Sequence, residues 1–157
     1  MQDLDLIDRK IIAELMRDAT LPVARIADKV GLSQTPCWNR IQKLEARGVI
    51  TGRVALVDPA RIGLGLTVYV GIEAPDHSAE WRTTFAGIVN ALPEVLDVHR
   101  LAGGMDYLLR IAVRDMDAFD EFYRHLTDAI AIRNVTSHFA MERIKGTTAY
   151  PVDTRTR

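Results

Sequence analysis

Apolar residues recur at two different spacings along this chain, and the change of spacing marks out its parts. Over the first 50 or so residues the spacing is helical. Ile7, Ile11, Ile12 and Leu15 share one face of a helix predicted over residues 5–16, with Asp5 and Asp8 near its positive N-terminal end. Val23, Ile26, Ala27 and Val30 define a second helix, residues 23–30, with Pro22 at its first turn. Cys37, Ile41 and Leu44 form the inward stripe of a third helix that Gly48 ends. Between the second and third lie Gly31, Leu32 and Ser33. Glycine supplies the left-handed residue that closes a helix, and the Ser33 hydroxyl is placed to cap the next one.

Beyond residue 50 the period falls to two. Val54, Ala55, Leu56 and Val57 are an apolar run that predicts a strand. Asp58, Pro59, Gly63 and Gly65 then punctuate a hinge. Leu66, Val68, Val70 and Ile72 alternate with Thr67, Tyr69, Gly71 and Glu73, a half-buried strand. Trp81, Phe85, Ile88, Val89 and Leu92 return to helical spacing. Residues 96–101 are a second strand, and Tyr107, Leu109, Ile111 and Val113 alternate through a third. Phe119, Phe122, Tyr123, Leu126 and Ile130 mark another helix, and residues 135–141 a last strand. The order β-α-β-β-α-β is that of a ferredoxin-like domain, an antiparallel sheet with both helices on one face. The other face lacks helical cover, so self-association is the expected way to bury it. The fold class is α+β: a helix-turn-helix domain over residues 1–50, a linker strand and hinge over 51–65, and a ferredoxin-like domain over 66–157, with a frayed tail from Asp153.

Two helices across a three-residue turn containing glycine is the helix-turn-helix spacing, whose second helix enters a DNA major groove. Ser33, Gln34, Thr35, Trp38, Asn39, Arg40, Gln42, Lys43 and Arg47 are then the candidate DNA-binding residues. Amides such as Gln34, Asn39 and Gln42 suit base edges, while Thr35, Arg40, Lys43 and Arg47 suit phosphates or guanines. The alternative is a solvated polar face on a structural helix.

Composition narrows the reading further. The chain has 157 residues and a formal net charge of −1, so it is no indiscriminate polycation. From Ser33 to Arg53, however, Arg40, Lys43, Arg47 and Arg53 stand against Glu45 alone, a local basic surface suited to phosphate-anchored binding. No stretch approaches the ~20 apolar residues of a membrane span, and the acidic start lacks the features of a signal peptide. The single cysteine, Cys37, cannot form an internal disulfide, which points to a reducing cytoplasm and a core thiol. His77, His99, His125 and His138 are too dispersed to predict a metal site. No nucleophile motif, phosphate loop or paired cysteines suggests an enzyme, and no cofactor is implied. Ala102, Gly103, Gly104, Met105, Asp106 and Tyr107 form the remaining feature. Paired glycines allow close backbone approach to a ligand and Asp106 offers a carboxylate to an ammonium group; from spacing alone a plain glycine hairpin with Asp106 as turn-former fits slightly better.

These residues fall into several ordered motifs. They are Leu4-Asp5-x-x-Asp8-Arg9-Lys10-Ile11-Ile12, then Ala27-x-x-Val30-Gly31-Leu32-Ser33-x-Thr35-Pro36-Cys37, then Arg40-x-x-x-Leu44-Glu45-x-x-Gly48-Val49-Ile50, followed by Gly103-x-x-Asp106-Tyr107 and Met141-Glu142. With them the chain resembles, over nearly its full length, the Lrp/AsnC (feast/famine) family of transcription regulators. Thr35-Pro36-Cys37-Trp38, Gly63-Leu64-Gly65-Leu66-Thr67, His77-Ser78-x-Glu80-Trp81, Asp120-Glu121-Phe122-Tyr123 and Phe139-Ala140-Met141-Glu142 are most similar to its cysteine-responsive, DecR-type subgroup. The resemblance implies a winged helix-turn-helix joined to an effector domain, binding to double-stranded DNA, and homodimers that assemble into octamers. It also implies an amino-acid effector, with cysteine the candidate, held between subunits. Gly103, Gly104, Met105, Asp106 and Tyr107 would contact that effector, with Thr136, Ser137 and His138 nearby. The implied function is an effector-responsive regulator of amino-acid metabolism. An architectural DNA-bending protein without a ligand is the alternative.

Overall fold

The first helix begins at a carboxylate. Asp5 accepts a hydrogen bond from the Asp8 amide at 2.8 Å and so caps α1, Leu6–Arg17, in the computed structural model, which describes residues 4–155. α2 spans Val23–Val30 and α3 Gln34–Ala46. Ile11 of α1, Ile26, Ala27 and Val30 of α2, and Cys37, Ile41 and Leu44 of α3 interlock as one buried core. Burial of each large aliphatic side chain contributes about 1.5–3 kcal/mol, which is what holds three short helices together. Gly31 closes α2 in the left-handed region at φ 76°, as its position in the turn required. Ser33 stands at the N-cap of α3 but its side chain makes no capping bond. The reason lies in Pro36, three residues on, which lacks the amide hydrogen that an N-cap hydroxyl commonly accepts.

The second unit starts after a 3-10 turn, Pro59–Ile62, capped by Asp58, whose side chain accepts from the Ala60 amide. It contains β1 (Leu66–Glu73), α4 (Ala79–Ala91), β2 (Val95–Arg100), β3 (Tyr107–Val113), α5 (Met116–Ala129) and β4 (Asn134–Phe139). All three strand pairings are antiparallel and the spatial order is β2-β3-β1-β4, the ferredoxin-like arrangement. Ser78 and Asp115 cap α4 and α5 by accepting from the Trp81 and Ala118 amides. Val68, Val70, Ile72, Tyr107, Leu109, Ile111 and Val113 pack against Trp81, Phe85 and Val89 of α4 and Phe119, Phe122 and Leu126 of α5. The intervening positions face the other way. In register across the sheet they include Asp97, Arg110, Tyr69 and His138 in one row, and His99, Leu108, Gly71 and Thr136 in the next.

Two expectations are corrected. Residues 54–57 form no strand: Val54 is 81% exposed and Leu56 and Val57 are also exposed. A strand is completed by a neighbour that takes up its amides and carbonyls, and none of β1–β4 lies beside this segment. Among the described residues, therefore, no wing strand follows α3. The last strand also ends at Phe139 rather than 141, leaving Met141 fully exposed. The chain divides into two compact units between Ala55 and Leu56, inside the stretch read as linker, and the segment from Ile144 onward groups with the first unit.

Candidate DNA-binding and effector sites

α3 turns Cys37, Ile41 and Leu44 inward, and this fixes the rest of its surface. Ser33, Gln34, Thr35, Trp38, Asn39, Gln42, Lys43 and Arg47 are all exposed, with Trp38 half-open to solvent. Burial pushes the Cys37 thiol up from its ordinary value, in keeping with a core residue. Gln42 donates to Glu45 at 2.9 Å, and Glu45 also pairs with Arg53 at 2.6 Å.

Arg40 departs from the expectation that it faces DNA. One helical turn from both Cys37 and Leu44, it lies at the edge of the buried stripe and reaches α1. Its guanidinium donates to Asp5 at 2.6 Å and to Asp8 at 2.7 Å. Asp8 is the one buried charged residue among those described, so Arg40 balances a charge the fold has taken out of water. Burial alone would raise the Asp5 carboxyl; the Asp8 amide and the Arg40 guanidinium outweigh it and hold Asp5 below the ordinary carboxylate value. The local basic surface is correspondingly smaller than the charge pattern suggested, because Arg40 and Arg53 are both engaged by carboxylates.

The loop between β2 and β3 is held by Asp106 from three sides. Its amide donates to the Ile72 carbonyl at 2.9 Å, its carbonyl accepts from the Leu101 amide at 2.8 Å, and its Oδ2 accepts from the Ala74 amide at 2.9 Å. Oδ1 accepts no hydrogen bond among the described residues and lies 3.9 Å from His77 Nδ1. Gly103 and Gly104 are exposed and carry no neighbour that a side chain would strike. Met105 lies across Gly71 in the middle of β1: a Cβ at Gly71 would stand 2.9 Å from the Met105 sulfur.

Two of the residues expected at the effector are placed elsewhere. The Tyr107 ring is in the core, with centroids 4.8 Å from Phe85 and 5.7 Å from Trp81, because Tyr107 begins the inward alternation of β3. Ser137 pairs with Val70 and shares the helix-side face with Phe139, whose ring meets Phe119. Thr136 and His138 stand opposite Gly71 and Tyr69 on the open face, the side on which Met105 lies. Ala74 and His77 were missed. Ala74 lies in no motif, and His77 entered only as part of a subgroup motif with no site role; the pairing of Ile72 with Tyr107 is what carries them to Asp106. No group of three metal-ligating side chains occurs among the described residues, and no helix among them is long and apolar enough to cross a membrane.

Comparison with known proteins covers both units. The AsnC-type helix-turn-helix domain matches residues 4–45, and the Lrp/AsnC ligand binding domain matches residues 67–150. The DNA-binding transcriptional activator DecR of Escherichia coli strain K12 is 48% identical over 151 residues, 96% of this chain and 99% of that protein. The glutamate uptake regulatory protein of Zymomonas mobilis is 43% identical over 152 residues, 97% and 93% of the two chains. Among solved structures, an AsnC family transcriptional regulator from Agrobacterium tumefaciens superposes with a TM-score of 0.91 at 51% identity, over 94% of this chain and 97% of that one. A transcriptional regulator of Neisseria meningitidis in complex with L-methionine gives a TM-score of 0.91 at 32% identity, over 96% and 98%.

Proposed function

The chain is a member of the Lrp/AsnC family of transcription regulators, and from that premise we propose that an amino-acid effector, bound where two subunits meet, modulates its binding to specific DNA sites. The observation that carries the DNA half is the surface of α3. Every candidate polar residue on it except Arg40 is exposed, while the opposite side is locked into the core. Ser33, Gln34, Thr35, Trp38, Asn39, Gln42, Lys43 and Arg47 form the contact set, with amides toward base edges and cations toward phosphates. A dimer presents two such helices to a pseudo-palindromic site.

The effector half rests on Asp106 Oδ1, which is open to an ammonium group while Oδ2 stays committed to Ala74. The Gly103 and Gly104 backbone, Met105, Thr136 and His138 surround the ligand from the loop and the open sheet face. Cysteine is the first effector to try and methionine the second. A second copy of the chain covers the open sheet, and dimers assemble further into octamers. Residues 1–50 serve as the DNA-binding domain, 51–65 as the linker, and the remainder as the sensing and assembly domain.

Recovery of genomic DNA bound to the protein, followed by calorimetry with a panel of free amino acids, tests this. Recovered sites should cluster near genes of amino-acid metabolism, and at least one amino acid should bind and change the affinity for those sites. DNA binding with no amino acid bound would favour an architectural role instead.

A further inference from the structure

His77 stands at the outer corner of the turn between β1 and α4, and that turn is tightly made. The Asp76 carboxylate accepts from the Ser78 amide at 2.7 Å, the Ser78 hydroxyl caps α4, and Arg82 donates to the His77 carbonyl at 2.5 Å. Arg133, just before β4, donates to the Pro75 carbonyl at 2.7 Å. The main chain of His77 is thus fixed while its imidazole is exposed, 3.9 Å from the one Asp106 oxygen that accepts no hydrogen bond. At that distance a neutral imidazole makes no hydrogen bond, whereas an imidazolium makes an ion pair. The charged groups around it are Asp106 and Asp76, with Arg82 and Arg133 engaged on backbone carbonyls. Asp76 is hydrogen-bonded to Ser78 and feels the His77 charge at longer range, whereas Asp106 is the carboxylate that lies within 4 Å of the imidazole.

We infer that His77 is a further residue of the effector site, and that its imidazolium competes with the effector's ammonium group for Asp106 Oδ1. The inference rests on the effector reading above. An amino acid keeps its ammonium charge throughout the range in which histidine titrates, so the two cations contend for one oxygen only when His77 is protonated. Proton binding and effector binding then oppose each other, and by linkage the effector raises the proton's cost to the same extent that the proton weakens the effector. The sensor reports its ligand less well in acid.

The test is calorimetry of the full chain with cysteine under reductant, and with methionine, at about pH 7.5 and about pH 5.5. Wild-type affinity is expected to fall by about fivefold or more on acidification, and H77Q and H77A to lose most of that dependence and bind more tightly than wild type at the lower pH. Equal pH profiles for wild type and both variants would overturn the role of His77 and leave the effector reading standing. No binding of any amino acid at either pH would overturn both.

Discussion

Arg40 and Lys43 lie one turn apart on α3, and only their phase on the helix makes one a contact within the fold and the other an exposed cation. Arg40 sits beside the buried stripe and balances Asp8, so Arg40→Ala strands a nearly buried carboxylate. The Arg40 side chain is 34% exposed, which brings the cost below that of a fully buried pair, to about 2 kcal/mol in a urea melt. The pH dependence has a definite sign. The folded carboxyl of Asp5 titrates below its ordinary value, so its contribution to stability is present above about pH 4 and is lost as pH falls through the lowered folded value. In Arg40→Ala that acid loss should be smaller, as urea melts between about pH 6 and about pH 2.5 would register. Lys43→Ala should leave stability unchanged, weaken binding to all DNA sequences alike, and reduce the salt slope by about one. At the loop between β2 and β3, Asp106→Asn keeps an acceptor for the Ala74 amide and removes the charge. It should abolish the effector response while the protein folds and binds DNA normally, whereas Asp106→Ala also loosens the turn after β1.

At the scale of elements, the helices were legible because each advertises an inward stripe and a stop. α2 coincides with its predicted range, and Gly31 ends it at a positive φ. Gly31→Ala should therefore cost about 1 kcal/mol in thermal unfolding, although no atom crowds the site, since the strain is in the backbone alone. The sheet strands were legible for the same reason, with bounds off by one or two residues. The segment around Val54 and Leu56 was not. Its apolar run looks like a strand, but a strand is a relation between two segments, and sequence pattern reports only one of them. Candidate sites followed the same rule. The exposed face of α3 could be read almost whole from helical phase, Arg40 being the exception that a carboxylate on another helix captured. On β3 and β4 a single residue of alternation put Tyr107 and Ser137 on the helix side, while Thr136 and His138 face open.

For the whole molecule, the open sheet face is the feature with most consequence. Tyr69 lies near its centre, in a row with Asp97, Arg110 and His138, and is exposed. Tyr69→Glu should leave each domain folded and shift the protein to monomers in sedimentation velocity, because the adjacent Arg110 is already paired with Asp97 and a second carboxylate would have to be desolvated in any face-to-face assembly. Unchanged assembly would place the subunit contact elsewhere. The sequence by itself determined the family and a helix-turn-helix followed by a four-stranded antiparallel sheet with two helices, since each is written in local periodicity, caps and short motifs. Tertiary structure alone decided that Arg40 belongs to the fold, that Tyr107 belongs to the core, and that His77 meets Asp106. Those outcomes depend on which distant charge or ring the packing brings within a few ångströms, and no period along a single chain encodes that distance.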